Sequence, residues 1–500
     1  MKALAPGDVV ITPAVDRLSR DTTDLLNSTR EMQRAGAGIR SLAEPYLDTT
    51  SDFVSPAALS QFHLCSTVSL ASTASSRATP SPTCSPGTRS PPPPHRRSPA
   101  QEPEPAHSLA SPSVDIFTLL LVWMETQMAK NGFQLIDAEM HVMEPVDLWE
   151  RYIDPEFAGR APRRLDERRW DIRTIVEGEV MAAMPGGDWP ALTEAEEKAL
   201  AERYAEEIAR NFDPESQVRA MGKEGLDLAI LFPTSAMYVT AFPRMDPRFA
   251  AAACRAYNDW LYDYIRAADP KRMFGAAAIS PHDVITAVAE TRRAISQLGM
   301  KAVFLRPNIY NDRAWHDPYY DLLWAACQEL NVPVGFHETT GSRMKAAGTD
   351  RFKNIGIAHI STHSMEQMLA CMDVIMGGVM ERFPQLRFAF LEGQCGWLPF
   401  WLDRMDDHYE WREPYGEMTH LSMPPSEYFR RQGFCAVECD EGFVAHVVAA
   451  VGDDNLVTTT DYPHGDSKYP KAMDRFLALP LGDQSKKKIL WDNALRLYAL

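Results

Sequence analysis

Short apolar runs alternate with helical runs along most of this chain, and that alternation narrows its possible folds more than any other feature. Runs at 133–137, 226–232, 273–279, 301–305, 332–337, 386–391, 433–438 and 456–460 are bounded by turn residues and predict eight strands. Helical spacing lies between most of them. Phe249, Cys254, Tyr257, Trp260, Leu261 and Tyr264 share the spacing of a predicted helix 246–268. Further helices are predicted at 282–298, 317–330 and 364–383, the last stopped by Pro384. Eight such units over roughly 370 residues predict an α/β fold, a closed (β/α)8 TIM barrel spanning 128–500. The largest insertion, 148–212, follows the first strand and is expected to lie over the barrel mouth as a lid.

Residues 1–127 read differently. The stretch 66–112 is rich in Ser, Thr and Pro and includes Ser90-Pro91-Pro92-Pro93-Pro94-His95-Arg96-Arg97. Such composition buries too little apolar surface to offset chain entropy, so a disordered extension is expected. Met128-Ala129-Lys130-Asn131-Gly132 runs straight into the first strand and looks like a natural beginning, which suggests a misassigned start upstream. A net charge of −17 argues against nucleic acid as a main partner but allows a small anionic substrate, which feels the local field. The eight cysteines are scattered without a CxxC pair, which fits a reducing compartment. The longest apolar run, 117–124, is too short to span a bilayer, and no secretory signal opens the chain. A cytoplasmic enzyme without membrane contact is expected.

Catalytic groups of such barrels sit where strands end at the C-terminal face. Glu139 and His141, two residues apart on an extended backbone, point the same way. Strand five ends in His337-Glu338, strand six in Glu392-Gly393, and strand eight in Asp461-Tyr462-Pro463-His464. Satisfied core histidines would explain one or two of these. Together, Glu139, His141, His337 and Asp461 predict a site for one divalent cation, zinc or manganese, with iron as an option. Arg306 follows strand four, where its planar fork could grip a substrate carboxylate; a structural ion pair is the equal alternative. His464 could contact substrate or stabilise its own loop. Aromatic Tyr409, Trp411 and Tyr415 could serve a homodimer interface.

The longer motifs around these residues are Asp137-Ala138-Glu139-Met140-His141-Val142-Met143-Glu144-Pro145, Phe390-Leu391-Glu392-Gly393-Gln394-Cys395-Gly396-Trp397-Leu398-Pro399 and Thr460-Asp461-Tyr462-Pro463-His464. Gly377-Gly378-Val379-Met380-Glu381-Arg382-Phe383-Pro384 and Lys488-Ile489-Leu490-Trp491-Asp492-Asn493-Ala494 accompany them. This pattern resembles the amidohydrolase-related family, which includes aminocarboxymuconate-semialdehyde decarboxylase and the γ-resorcylate-type decarboxylases. The resemblance implies that Glu139 and His141 are the first-strand ligand pair and His337 the strand-five ligand. It implies that Asp461 both touches the metal and handles a proton, and that His363 belongs near the site. Several members carry a histidine after strand six; here Glu392 stands there instead. The implied reaction is hydrolysis of a small carboxylate-bearing or aromatic substrate by a metal-activated water, with Asp461 as acid and base and His363 and Glu392 assisting. The alternatives are a non-oxidative decarboxylase of an aromatic or unsaturated acid, or a dinuclear iron or manganese oxygenase.

Overall fold

Ile136–His141 forms β1, the first of eight parallel strands. The others are β2 (Leu228–Phe232), β3 (Met273–Ala278), β4 (Ala302–Leu305), β5 (Val334–His337), β6 (Phe388–Leu391), β7 (Gly433–Val437) and β8 (Leu456–Thr458). Each strand pairs with the next in chain order. The ladder ends at β1 and β8, and these meet through His141 N, which donates to the Tyr462 carbonyl at 2.7 Å. The Thr459 hydroxyl closes the seam further by donating to the Glu139 carbonyl at 2.7 Å. The strands are buried almost throughout, as parallel strands packed on both faces must be. The computed structural model describes residues 9–12, 38–41, 130–165, 172–181, 183–184, 187–188, 193–242 and 244–500.

Helices fill the crossovers, and their starts follow from capping. Pro214–Glu224 (α1) begins after Asp213, whose side chain accepts from Ser216 N, and stops at Gly225 with φ 78°. Pro247–Ala267 (α2) and Val284–Ser296 (α3) start after Asp246 and Asp283, which cap them in the same way. Asp321–Glu329 (α4), Ile355–Met376 (α5), Leu398–Arg412 (α6) and Val444–Val451 (α7) follow. On α2, Asn258 is fully buried. It accepts from Ala278 N at 2.8 Å and donates to Ala278 O at 3.0 Å, so one side chain satisfies both backbone groups at the end of β3. Asn258→Ala is expected to destabilise the fold by about 1–3 kcal/mol for each group left unpaired, measured by chemical denaturation.

Two boundaries differ from expectation. The first strand runs to His141 rather than ending at 137, so Glu139 and His141 lie within it. Its polar residues are fully buried, and a bulge between Asp137 and Met140 re-aims them. Helix α5 begins at Ile355 rather than 364. Asn354 caps it, accepting from Ile357 N at 3.2 Å. The first turns gave no helical signal because Ile357 and Ile360 face solvent, 48% and 74% exposed.

The insertion after β1 carries an antiparallel sheet of Arg163–Arg164, Thr174–Val176 and Glu179–Met181, then helices Glu194–Arg203 and Ala205–Ala209. Arg203 donates to the carbonyls of Gly465 at 2.7 Å and Ser467 at 2.9 Å, and Tyr204 donates to the His464 carbonyl at 2.9 Å. These bonds lash the insertion onto the loop after β8, which is the lid placement expected of it. In a separate N-terminal unit, Val9–Thr12 pairs parallel with Gly38–Ser41. The segments 66–112 and 117–124 lie outside the described residues. Among the described residues no helix is long and apolar enough to cross a membrane.

Candidate metal centre and active site

Along β1, Asp137, Glu139 and His141 are all fully buried, and the bulge between Asp137 and Met140 interrupts the two-residue alternation there. Asp137 is fully buried and is held from just beyond β8 and from its own strand: the Thr460 hydroxyl donates to it at 2.5 Å, and Glu139 N at 3.1 Å. Burial pushes its carboxyl up to about 7, against the pull of the Thr460 bond. His141 Nδ1 lies 2.8 Å from the Pro233 carbonyl. A carbonyl only accepts, so Nδ1 carries the proton and Nε2 presents its lone pair inward. Burial and the neighbouring His464 hold His141 down at about 3, so the ring stays neutral. Burial pushes Glu139 up, but the neighbouring His337 and His141 hold it down at about 2.

Four side chains converge from three strands. His337 Nε2 lies 2.5 Å from Glu139 Oε1, 2.5 Å from Glu392 Oε2 and 3.1 Å from His141 Nε2. One imidazole proton cannot serve three such neighbours. Glu392 Oε2 and Glu139 Oε2 are buried and lack hydrogen-bond partners. Two imidazoles and two carboxylates crowded on one point fit a divalent cation of the zinc or manganese kind. Asp461 stands slightly apart, with Oδ1 3.8 Å from His141 Nε2. It groups instead with His141, Glu392 and His464. Glu392 therefore fills the fourth place of the tightest set, where Asp461 was expected. Backbone geometry explains how both reach inward. Glu392 (φ 49°) and Asp461 (φ 53°) adopt left-handed conformations immediately beyond β6 and the β8 end, turning their side chains back over the mouth.

Asp461 and His464 form a pair, Oδ1 to Nδ1 2.5 Å. Burial raises Asp461 well above the usual carboxylate range, against the pull of His464. Burial opposes protonation of His464, but Asp461, Glu392 and Asp466 hold it up at about 9. The two groups therefore titrate as a coupled pair. The His464 ring packs 4.0 Å from that of His141, and its Nε2 meets the Thr234 hydroxyl at 3.0 Å. His363 lies within α5, not at a helix start. It is buried, and burial keeps it neutral, well below the usual imidazole value.

A cavity of about 470 Å³ opens beside these groups. His363, Glu392 and His464 line it on the polar side. Ile172, Leu200, Tyr204, Ile208 and Phe212 of the lid insertion form its apolar wall, with Met237 opposite. A larger groove of about 1500 Å³ runs elsewhere, past Ile309, Leu369 and Trp401, and holds none of the convergent acids and histidines.

Arg306 is absent from both cavities' polar walls. It is fully buried and paired with Glu338 at 2.8 Å, and it also donates to the Thr339 carbonyl and Asn308. The structural ion pair is what the fold realises, because Arg306 points back between β4 and the β5 end. Arg306→Met is expected to destabilise the protein by about 3–5 kcal/mol by stranding Glu338, with little change in KM. Urea denaturation and steady-state kinetics check both halves.

Sequence reasoning passed over three neighbours. Asp137 was quoted only as part of a motif. Glu438, directly after β7, feels Asp461, Glu139 and Asp466, and burial pushes it well above the carboxylate range. His359 sits one turn before His363, a spacing already visible in the chain.

A family model described as Amidohydrolase matches residues 136–500. A model of the resolvase N-terminal domain matches residues 1–73. A 2-amino-3-carboxymuconate-6-semialdehyde decarboxylase of Dictyostelium discoideum is 22% identical over 299 residues, 60% of this chain and 80% of that protein. Among solved structures, an amidohydrolase of Mycobacterium avium subsp. paratuberculosis matches 74% of this chain and 98% of its own, at 20% identity and TM-score 0.58. A 5-carboxyvanillate decarboxylase of Novosphingobium aromaticivorans, solved with manganese and 4-hydroxy-3-methoxy-5-nitrobenzoic acid, matches 74% and 97%, at 20% identity and TM-score 0.53. The shared barrel, the buried His/Glu donor set and the family match over 136–500 lead to one conclusion: the chain belongs to the amidohydrolase family, as a metal-dependent enzyme of its hydrolase and carboxy-lyase kind.

Proposed function

We propose that this protein is a metal-dependent, non-oxidative decarboxylase of an aromatic or unsaturated carboxylic acid, with its catalytic unit in 128–500. The observation that carries the reading is the buried Asp461–His464 contact, 2.5 Å from Oδ1 to Nδ1, beside the convergent donor set. Hydrolysis was the first expectation from sequence. Relatives that match the barrel and carry a named reaction are decarboxylases, and that favours carbon–carbon cleavage. The oxygenase alternative finds no support among them.

Glu139, His141, His337 and Glu392, with Asp461 beside them, would hold one divalent cation. Such a cation would supply positive charge toward the carboxylate of a bound substrate, while Asp461 and His464 hold the proton that is to be delivered. The lid's apolar wall takes the flat face of the substrate and excludes water. His464 and Asp461 deliver their proton to the carbon that bears the carboxylate. The carbon–carbon bond then breaks, its electron pair stays with the ring, and carbon dioxide leaves. His363 and Glu392 face the departing group from the cavity wall.

The test is turnover of hydroxybenzoates by manganese-loaded protein in deuterated water. Release of carbon dioxide with one deuterium at the vacated carbon is the expected result. Cleavage of lactones or amides without carbon dioxide from any acid would replace this reading with hydrolysis, Asp461 then acting as base.

A further inference from the structure

We infer that Arg203 and Tyr204, in the insertion whose helices wall the cavity, are positioning residues for His464, and that apolar contact between substrate and this insertion raises kcat rather than only lowering KM. The inference rests on the proton delivery by Asp461 and His464 proposed above.

His464 sits on the loop that leaves β8, and the barrel holds only part of that loop. On one side, His464 N donates to the Asp461 carbonyl at 2.9 Å. The ring is met by Asp461 at Nδ1 and by the Thr234 hydroxyl at Nε2, 3.0 Å away. On the other side, the Ser467 hydroxyl donates to the Thr460 carbonyl at 2.8 Å. Between these ties the carbonyls of His464 and Gly465 accept from the insertion. Tyr204 donates to the first at 2.9 Å and Arg203 to the second at 2.7 Å. Arg203 also reaches the Ser467 carbonyl at 2.9 Å. Two adjacent side chains thus hold three carbonyls on the stretch that carries the acid. A displacement of about 1 Å there is enough to spoil proton delivery.

The hold is stiff. Tyr204 is buried, and its ring stacks on Tyr469, with centroids 5.5 Å apart and planes 13° apart. It meets Tyr462 edge-on at 5.9 Å. Both partners belong to the loop after β8, so Tyr204 is wedged between the loop's two ends. Tyr469 in turn donates to Glu207 of the insertion at 2.6 Å, and Lys223 of α1 donates to the same oxygen at 2.9 Å.

The residues that hold His464 also border the substrate. Leu200, Tyr204 and Ile208 are four apart, and helical backbone bonds run through them, Tyr204 N to Leu200 O at 2.9 Å and Ile208 N to Tyr204 O at 2.8 Å. That spacing puts them on one face, and all three line the cavity. The helix Glu194–Arg203 has no fully buried residue, so its seat depends on such contacts. An apolar substituent packed against Leu200 and Ile208 adds to that seat, and the Tyr204 hydroxyl passes it to His464. Binding energy from a part of the substrate remote from the reacting carbon is then used to place the acid, which shows in kcat.

Manganese-loaded full-length protein tests this, with 2,6-dihydroxybenzoate and its 4-propyl derivative as probes. Tyr204→Phe and Arg203→Met are each expected to lower kcat by about 10–10²-fold with KM changed by less than about twofold, and Arg203→Lys to recover part of the loss. In the native chain the propyl group should raise kcat; in the Phe and Met variants that gain should vanish. Amide hydrogen exchange gives a readout independent of turnover. It is followed at His464 and Tyr469, whose amides donate to the Asp461 carbonyl and the Ser467 hydroxyl. Exchange there should quicken by at least about tenfold in the two variants, with β2 and the metal content unchanged. Unchanged exchange in this loop would overturn the inference. A rise in KM at constant kcat, or a propyl gain that persists in the variants, would make the insertion a binding wall only and overturn it as well. Faster exchange in the variants of a chain that decarboxylates no hydroxybenzoate would count against the proposed reaction and leave the hold on His464 standing.

Discussion

His337→Ala is expected to abolish stoichiometric metal binding at the first site and to lower kcat/KM by at least about 10³-fold. His337 Nε2 is the point on which the other three donors converge, 2.5 Å from each carboxylate and 3.1 Å from the His141 nitrogen. Without it, Glu139 and Glu392 face each other with a single imidazole between them. The remaining set is then poorer in neutral ligands and richer in repulsion. His337 is fully buried, and alanine leaves space at the floor of the mouth that water can enter. Metal analysis and steady-state kinetics on the same preparation check the expectation. The thermal shift on adding manganese is a third readout, because an ion that binds only the folded chain stabilises by about 2.7 kcal/mol at a hundredfold excess over Kd. That shift should shrink or vanish in the variant. Full metal content with full activity would show that the donor set is not the catalytic one. Asn258→Ala serves as the control, since it lowers stability from the far side of β3 while leaving metal content intact.

Asp461→Asn is expected to lower kcat by about 10²–10⁴-fold while metal content stays near the native level. Asparagine preserves shape and removes the acid. Asp461 Oδ1 is 2.5 Å from His464 Nδ1 but 3.8 Å from His141 Nε2, so its closest partner is the histidine rather than the metal set. The amide cannot share a proton with His464, and the donor to the substrate carbon is lost. His464→Gln should produce a fall of similar size, and the double variant little more, because the two residues act as a unit. Deuterium incorporation during any residual turnover should drop in parallel. Loss of the metal on Asp461→Asn would make Asp461 a ligand first, and the separation of roles drawn here would fail.

Much of the architecture could be read from the chain because local signals and tertiary packing agree. Strands β2 to β8 are short, largely apolar runs, and the stops and caps of α1, α2 and α3 are written in Asp, Pro and Gly at the right offsets. Where they disagree, the reading failed. Helix α5 hid its first turns because isoleucines on its outer face mask the helical period. The first strand was cut short because Asp137, Glu139 and His141 look like a solvated end. Acids enter a strand interior only when the fold supplies partners, and those partners, Thr460 and His337, lie more than 190 residues away in the chain.

Residue types and strand-end positions pointed to the barrel and to Glu139, His141, His337, Glu392 and Asp461 as its candidate chemical groups. A strand end in a parallel barrel has only one place to point its last side chains, and so one-dimensional spacing carries three-dimensional meaning there. Tertiary structure decided which of them touch. It set Glu392 rather than Asp461 in the tight donor set, tied Asp461 to His464, sent Arg306 into a buried pair with Glu338, and brought His359 up to the mouth. Those choices depend on backbone turns of a few tens of degrees and on distances between residues far apart in the chain. No local periodicity encodes either.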